Sequence, residues 1–396
     1  MLRSLYSGIS GLRAHQTMLD VTGNNIANVN TTAFKGSATQ FQDTLSQLTQ
    51  GAGGPGATTG GTNPAQVGLG VQVAGIATNF AQGSSQATGK ASDMLISGDG
   101  FFLTQQGGET IYTRAGSFDF DSAGRLVTPS GAIVQGWGAV DGVVNEGGAV
   151  GDLSLPLNAV VPGKATSLVA MSGTLPSDAV GGTQLLRDIK VYDASGAART
   201  VSLTFTKAAT GSGWGVSGTD GGTAATTTLG FTGNVVTSGG SLVIGDPAAG
   251  GITVDLSALN GLAGISTVGV KSQDGSAPGS LESYTFGKDG TLIGLFSNGE
   301  QKALGRIALA TFTNPGGLEK TGSNGYRATF NSGTAELGAP GSTGLGSLTG
   351  GALEMSNVDL SQEFTNLIVA QRGFQANARI ITTSDEVLQE LTNLKR

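Results

Sequence analysis

Helical periodicity is confined to the two ends of this 396-residue chain, and that placement limits the folds open to it. Leu2, Leu5, Ile9, Leu12, Gln16, Leu19, Gly23 and Ile26 follow a 3-4-3-4-3-4-3 spacing. This is the seam of a heptad helix, with Gln16 and Gly23 as its departures. At the other end Leu360, Phe364, Leu367, Gln371, Phe374, Ala378, Ile381 and Leu388 make a second stripe. Ile368, Ile380, Val387, Leu391 and Leu394 widen it. Asp359 stands where an N-cap is needed, with Gln362 in the capping-box position. Lys395 and Arg396 suit the negative end of the helix dipole. Both termini are therefore expected to be helices.

Such stripes ordinarily pack inside one domain. From Gly51 to about Ala352, however, almost nothing reads as helix. The end helices can pack on each other, or on copies from other subunits. Ordering two lone helices costs more backbone entropy than their seams return by burial. That balance favours contacts with other copies.

Composition accounts for the middle. The 68 glycines are well over twice the usual share of ~7%. Together with only 12% charged and 6% aromatic residues, they suit many short strands joined by Gly turns. Alternating segments such as "LGVQVAGIATNF", "FFLTQQGGETIYTRAGSFDF" and "GRLVTPSGAIVQGW" are punctuated by turn dipeptides. A second strand block runs from about 281 to 330. Ser117, Phe118, Phe120, Gly124, Leu126 and Val127 align at constant offset with Ser283, Tyr284, Phe286, Gly290, Leu292 and Ile293. Either both blocks belong to one β domain split by an insertion, or two hairpins were built from common parts.

The expected fold is mainly β with α-helical termini. It is a nested, multidomain arrangement in which the N- and C-terminal helices form a coiled-coil-like core. Residues 1–30 and 357–396 form the terminal helical domain, and 31–70 a linker or arm. Within that arm, 31–45 is a short helix or an extended segment, and "GAGGPGATTGGTNPA" is flexible by composition. Residues 71–149 and 281–356 form an inner β domain, and 150–280 an inserted outer one. In the outer part Val201, Leu203 and Phe205 alternate with Ser202, Thr204 and Thr206 as in a half-buried strand. In such a plan the two termini leave the inner domain on one side.

Several function classes are disfavoured. A net charge of −7 offers no basic stripe for nucleic acid. The absence of cysteine removes disulfides, thiolate zinc sites and a cysteine nucleophile. No run of 18 apolar residues is present to insert in a membrane. The N-terminus lacks the continuous apolar core of a Sec signal, so export would need another route. "FDFDSAG" opens like a calcium loop, but Ala123 and Ser130 occupy ligand positions, and it reads as a β-turn. "SGDGFF" reads as a hairpin turn, since no helix follows it. His15, the one histidine, has no triad partners beside it and reads as a helix-interface residue. No catalytic, metal or cofactor site emerges, and the chain is not expected to be an enzyme.

The segments "LYSGISGLRAHQTMLDVTGNNIANVNTTAFKGS" and "SNVDLSQEFTNLIVAQRGFQANARIITTSDEVLQELTNLKR" closely resemble the bacterial flagellar axial proteins of the rod and hook. "DMLISGDGFF" and "VGLGVQVAGI" are similar to inner-domain signatures of the same family. Within it, the length and the inserted outer region look like the hook branch, the distal rod branch being shorter. The resemblance implies a structural subunit outside the cell, exported unfolded by the flagellar type III apparatus without a cleaved signal. It implies a helical homopolymer, a curved tube acting as a universal joint. The further partners implied are rod, hook-cap and hook–filament junction proteins. The polymerisation interface would be Leu2, Leu5, Ile9, Leu12, Gln16, Leu19 and Ile26 with Leu360, Phe364, Leu367, Gln371, Phe374, Ile381 and Leu388. Gln16 and Gln371 would set register or face water. Asn24, Asn25, Asn28 and Asn30 would form the helix exit, where amide side chains satisfy freed backbone groups before Phe34 and the linker. A distal rod subunit, or a secreted Gly/Thr-rich adhesin or hydrolase, are the alternatives.

Overall fold

The computed structural model describes residues 2–156, 158–220, 224–245 and 251–394. Lys395 and Arg396, and the dipole role expected of them, lie outside these. The described chain is two helices and many short strands. Helix α1 spans Leu2–Ala27 and helix α2 spans Leu360–Asn393. The N-cap of α2 is Asp359, whose Oδ1 accepts from the N–H groups of Ser361 at 2.8 Å and Gln362 at 3.2 Å. The return arm of a capping box is not made, because the Gln362 side chain turns forward and donates to Asn366 Oδ1 at 3.2 Å.

The chain divides into two compact units: 1–155 with 285–293 and 303–396, and 156–284 with 294–302. The first unit contains both helices.

Residues 31–70 are not a structureless linker. Strand β1 (Ser37–Asp43) pairs antiparallel with β4 (Val71–Thr78), and β2 (Ser46–Gln50) pairs with β3 (Ala65–Gly68). They form a two-stranded ribbon whose glycine-rich tip carries one further bridge, Gly53 to Thr62. The β-branched Val71, Val73 and Ile76 favour extended backbone, and residues 71–78 pair with Ser37–Asp43 in a sheet of two strands, not in the large sheet of the first unit. The ribbon is tied to α1: Val71 N–H donates to Ser10 Oγ at 3.2 Å, and the Phe41 ring meets the His15 ring at 5.8 Å.

The β part of the first unit has two cores, one on each face of strand Phe101–Gln106. Phe102 points into a cluster with Met94, Ile96, Phe118, Leu126, Val134, Ile307 and Leu348. Phe101 and Leu103 point into another with Tyr112, Trp137, Phe312 and Tyr326. Period-two alternation divides adjacent residues between the layers. The matching segments noted above are matching hairpins. Asp119–Phe120 pairs with Leu126–Val127, and strand Gly279–Phe286 is followed by Thr291–Phe296. Gly124 (φ 81°) and Gly290 (φ 76°) take the same left-handed place in the two turns, a conformation that favours glycine. Asp121 is held in its turn by Ala123 N–H, Arg125 N–H and Arg125 Nε.

The second unit holds a nine-stranded sheet in which Leu168–Pro176 runs parallel to Ile252–Leu262 and the other pairings are antiparallel. Arg187 Nε donates to the Val268 carbonyl at 2.9 Å, linking strand Gln184–Tyr192 to the residue before Gly269–Gln273, the opposite edge. The sheet encloses a core of Val201, Leu203, Phe205, Trp214, Val216 and Leu256. Lys207 continues the inward series of its strand. Its ammonium lies over the Trp214 ring, 5.6 Å from the centroid, with no hydrogen-bond partner among the described residues.

Candidate assembly interface

Glycine in a helix interior costs about 1 kcal/mol relative to alanine, so its presence points to close approach. Gly8, Gly11 and Gly373 mark where the two helices touch. A Cβ at Gly8 would meet Ile380 at 3.4 Å, and one at Gly11 would lie 2.7 Å from the Asn377 side chain. A Cβ at Gly373 would lie 2.6 Å from the His15 ring. Residue numbers rise on one helix as they fall on the other, so the pair is antiparallel. His15 is an interface residue, seated on the gap left by Gly373.

This crossing is not the apolar seam. The fully buried positions of α1 are Gly8, Gly11, Ala14, Thr22 and Asn25, small or polar residues. At about 100° per residue the Leu/Ile stripe lies to one side of them. Leu5, Ile9, Leu12, Leu19 and Ile26 are accordingly half-buried, and Gln16 is exposed. The side chain of Leu2 lies outside the described residues. Within one chain the expected coiled-coil seam gives way to a crossing in which Gly8 and Gly11 meet Asn377, Ile380 and Ile381, and His15 meets Gly373, so that of the stripe residues Ile381 takes part in it.

On α2 the apolar surface is barer still. Ala370 is its one fully buried residue among those described. Leu360 is 40% exposed, Phe364 49%, and Leu394 81%. Leu367, Phe374, Ile381 and Leu388 are half-buried, and Gln371 is exposed. Gln16 and Gln371 both face solvent in the single chain. Isolated apolar residues on a surface are ordinary, whereas a continuous stripe marks an interaction site.

The helix exit is built from asparagines. Asn28 Nδ2 donates to the Asn24 carbonyl at 2.9 Å, one of the acceptors a helix end leaves free. Asn25 is 1% exposed and bonds both backbone groups of Ser37, donating to its carbonyl at 2.8 Å and accepting from its N–H at 3.0 Å. Asn30 is exposed and bonds nothing among the described residues. Phe34 is buried, with the Lys320 ammonium 5.3 Å from its ring centroid.

Beneath the exit lies a buried ionic cluster. Lys35 Nζ is 2.6 Å from Glu354 Oε1, and their side chains are 0% and 1% exposed. Lys35 also donates to the Ala81 carbonyl at 2.8 Å, and Gly83 N–H donates to Glu354 Oε1 at 2.8 Å. Arg114, 3% exposed, brings Nη1 to 3.6 Å from Glu354 Oε2 and lies over Phe101. Ala33, with a left-handed φ of 59°, is held by its N–H bond to the Glu354 carbonyl at 2.7 Å. Asn357 fastens the same point, accepting from Gly36 N–H and donating to the carbonyls of Asn79 and Ala81. Burial holds the Lys35 amine below its ordinary range against the pull of Glu354. It also pushes the Tyr326 phenol up to about 12. The chain thus leaves α1 and enters α2 at one place, locked by residues 319 positions apart. That separation is why no local pattern announces the cluster.

Among the described residues no group of His, Cys, Asp or Glu could hold a metal, and no helix is long and apolar enough to cross a membrane. Residues 5–35 match the family described as flagella basal body rod protein, 95–175 the flagellar hook protein FlgE/F/G D1 domain, and 349–394 the flagellar basal body rod FlgEFG protein C-terminal. The chain is 40% identical to the flagellar hook protein FlgE of Borreliella burgdorferi and 37% identical to that of Treponema pallidum, each over all of both chains. It is also 36% identical to the flagellar basal-body rod protein FlgG of Bacillus subtilis, again over all of both. The glycine crossing, the bared stripes and these full-length likenesses converge: the chain belongs to the flagellar hook protein FlgE family.

Proposed function

We propose that this chain is a structural subunit of the flagellar hook, without catalytic activity, that polymerises into a curved tube through its terminal helices. One observation carries the reading: the stripe of α1 is only half-buried and the apolar residues of α2 are half-buried or exposed, because the helices cross at Gly8, Gly11 and Gly373 and leave much of both stripes uncovered. Leu5, Ile9, Leu12, Leu19 and Ile26 on one helix, and Leu360, Phe364, Leu367, Phe374 and Leu388 on the other, find their partners on neighbouring copies, as does the part of Ile381 that Gly8 does not cover. Residues 1–30 and 357–396 are the polymerising pair, and 150–280 the outer region that moves as the tube bends. The subunit lies outside the cell, exported through the flagellar apparatus without a cleaved signal. There it contacts the rod, the hook cap and the hook–filament junction as well as itself.

Deleting 1–30 and 357–396 tests this. Soluble β units that no longer form tubes are expected, and normal tubes in negative stain would refute it. The full-length likeness to a FlgG protein supports a second reading, a distal rod subunit, which predicts straight, rigid tubes of limited length in the same images.

A further inference from the structure

Phe330 is 109% exposed, more than any other large apolar side chain among the described residues. It does not sit on a loose loop. Thr329 N–H donates to Ser332 Oγ at 2.9 Å, and Thr329 Oγ1 donates to the Gly317 carbonyl at 2.6 Å. Asn314 Nδ2 donates to the Asn331 carbonyl at 2.9 Å, and Ser332 beneath the tip is 0% exposed. A Cβ at Gly317 would lie 2.7 Å from Asn331, so the turn is pressed against that backbone. A turn held this way presents its ring on a fixed backbone, so docking orders little besides the side chain itself, as suits an aromatic anchor at a protein interface.

The same unit carries a matching hollow. A cavity of about 450 Å³ opens beside strand Glu109–Thr113 and turn 321–325, with Ile111, Ala115, Pro129 and Ala132 in its wall. The rest of its lining is hydroxyls, Gln106, Asn324 and glycine, with no charged side chain. Hydroxyl oxygens suit the positive edge of an aromatic ring. Residues 328–335 around the knob are also uncharged, so two copies of this acidic chain can meet there without like-charge repulsion.

We propose that Phe330 of one copy seats in this cavity of the next copy along the polymer. Knob and hollow occupy different places on one subunit, so the contact is head-to-tail and extends a fibre instead of closing a pair. The inference rests on the homopolymer reading and adds a second contact, outside the helices.

The test uses the full chain with the photo-crosslinker p-benzoylphenylalanine incorporated at Phe330, irradiated after polymerisation and mapped by mass spectrometry. Intermolecular products on 104–132 or 321–325 are expected, and products elsewhere, or none, overturn the proposal. Phe330→Ser and Ser130→Trp, the second plugging the hollow from an exposed position, should each raise the critical concentration for assembly about tenfold. Their monomers should unfold at the unmodified midpoint. Unchanged critical concentrations in chains that do polymerise refute the knob alone, whereas an unmodified chain that stays monomeric refutes both readings.

Discussion

Removing the Glu354 carboxylate should be far more damaging than removing the Lys35 ammonium, although they form one pair. Glu354 is the shared anion of two buried cations, Lys35 and Arg114, and also accepts from Gly83 N–H. Glu354→Ala strands the Gly83 N–H, leaves the buried Lys35 ammonium with a neutral carbonyl alone, that of Ala81, and leaves Arg114 with the Gly98 carbonyl and the more distant Asp99 carboxylate at 4.0 Å. Stranding a buried charge costs about 3–5 kcal/mol. Lys35→Met keeps Glu354 within reach of Arg114 and Gly83 and fills the space with a chain of similar shape. The Ala81 carbonyl still accepts from Asn357. Two charge-assisted hydrogen bonds are lost, but neither acceptor is stranded, so the cost stays near that of one such bond, about 1.5–3 kcal/mol. At about 2–4 °C per kcal/mol for a unit this large, Glu354→Ala should lower the first unit's calorimetric transition by roughly 6–20 °C. Lys35→Met should lower it by less, and the second unit's transition should stay in place. Hydrogen exchange should localise the damage to amides 33–37, 81–83 and 354–357. If the two substitutions cost the same, the cluster is not organised around its carboxylate and the reasoning fails.

Gly373→Leu should wedge the helices apart at His15, costing about 1–3 kcal/mol by overpacking, and exchange protection around Gly8 and Gly11 should fall; retained protection would disprove the close crossing. Burial pushes Asp274 up, but hydrogen bonds from Ser167 and Leu168, with Lys164 nearby, outweigh it and hold its carboxyl below the usual range. The unfolded chain therefore takes up that proton first, and the contribution, present at neutral pH, is lost as pH falls from about 4. Asp274→Asn should flatten this acid sensitivity in the second unit's unfolding midpoint. Tyr326, raised to about 12, works in the opposite sense. The first unit should lose stability between about pH 10 and 12, with phenolate absorbance following and Tyr326→Phe abolishing that part. Lys207→Met should leave the second unit as stable or make it more so, since the ammonium has no hydrogen-bond partner among the described residues; a marked fall in its melting temperature would show that the Trp214 contact matters more.

Both helices were legible from spacing, because a stripe of period 3.6 needs no tertiary information. The inward Val201, Leu203 and Phe205 were legible for the same reason at period two. The face on which the helices meet is not marked by hydrophobic periodicity, since Gly8, Gly11 and Gly373 lie beside the apolar seam and add nothing to it. Those glycines were the available signal: helix interiors keep glycine at a cost that close contact offsets. Residues 31–70 were read from composition as a linker, but pairing with Val71–Thr78 is a long-range fact that composition does not contain. Nor does a sequence disclose that Lys35 and Glu354 meet, or that Ala33 bends left-handed where glycine would be expected.

The joint around Lys35, Glu354 and Asn357 has a mechanical meaning. Tension or torque entering along either helix would reach the sheets through that common anchorage, where Lys35, Glu354 and Asn357 spread it over backbone at 36, 79, 81 and 83. Wear and fatigue in such a part would begin at that hinge pin.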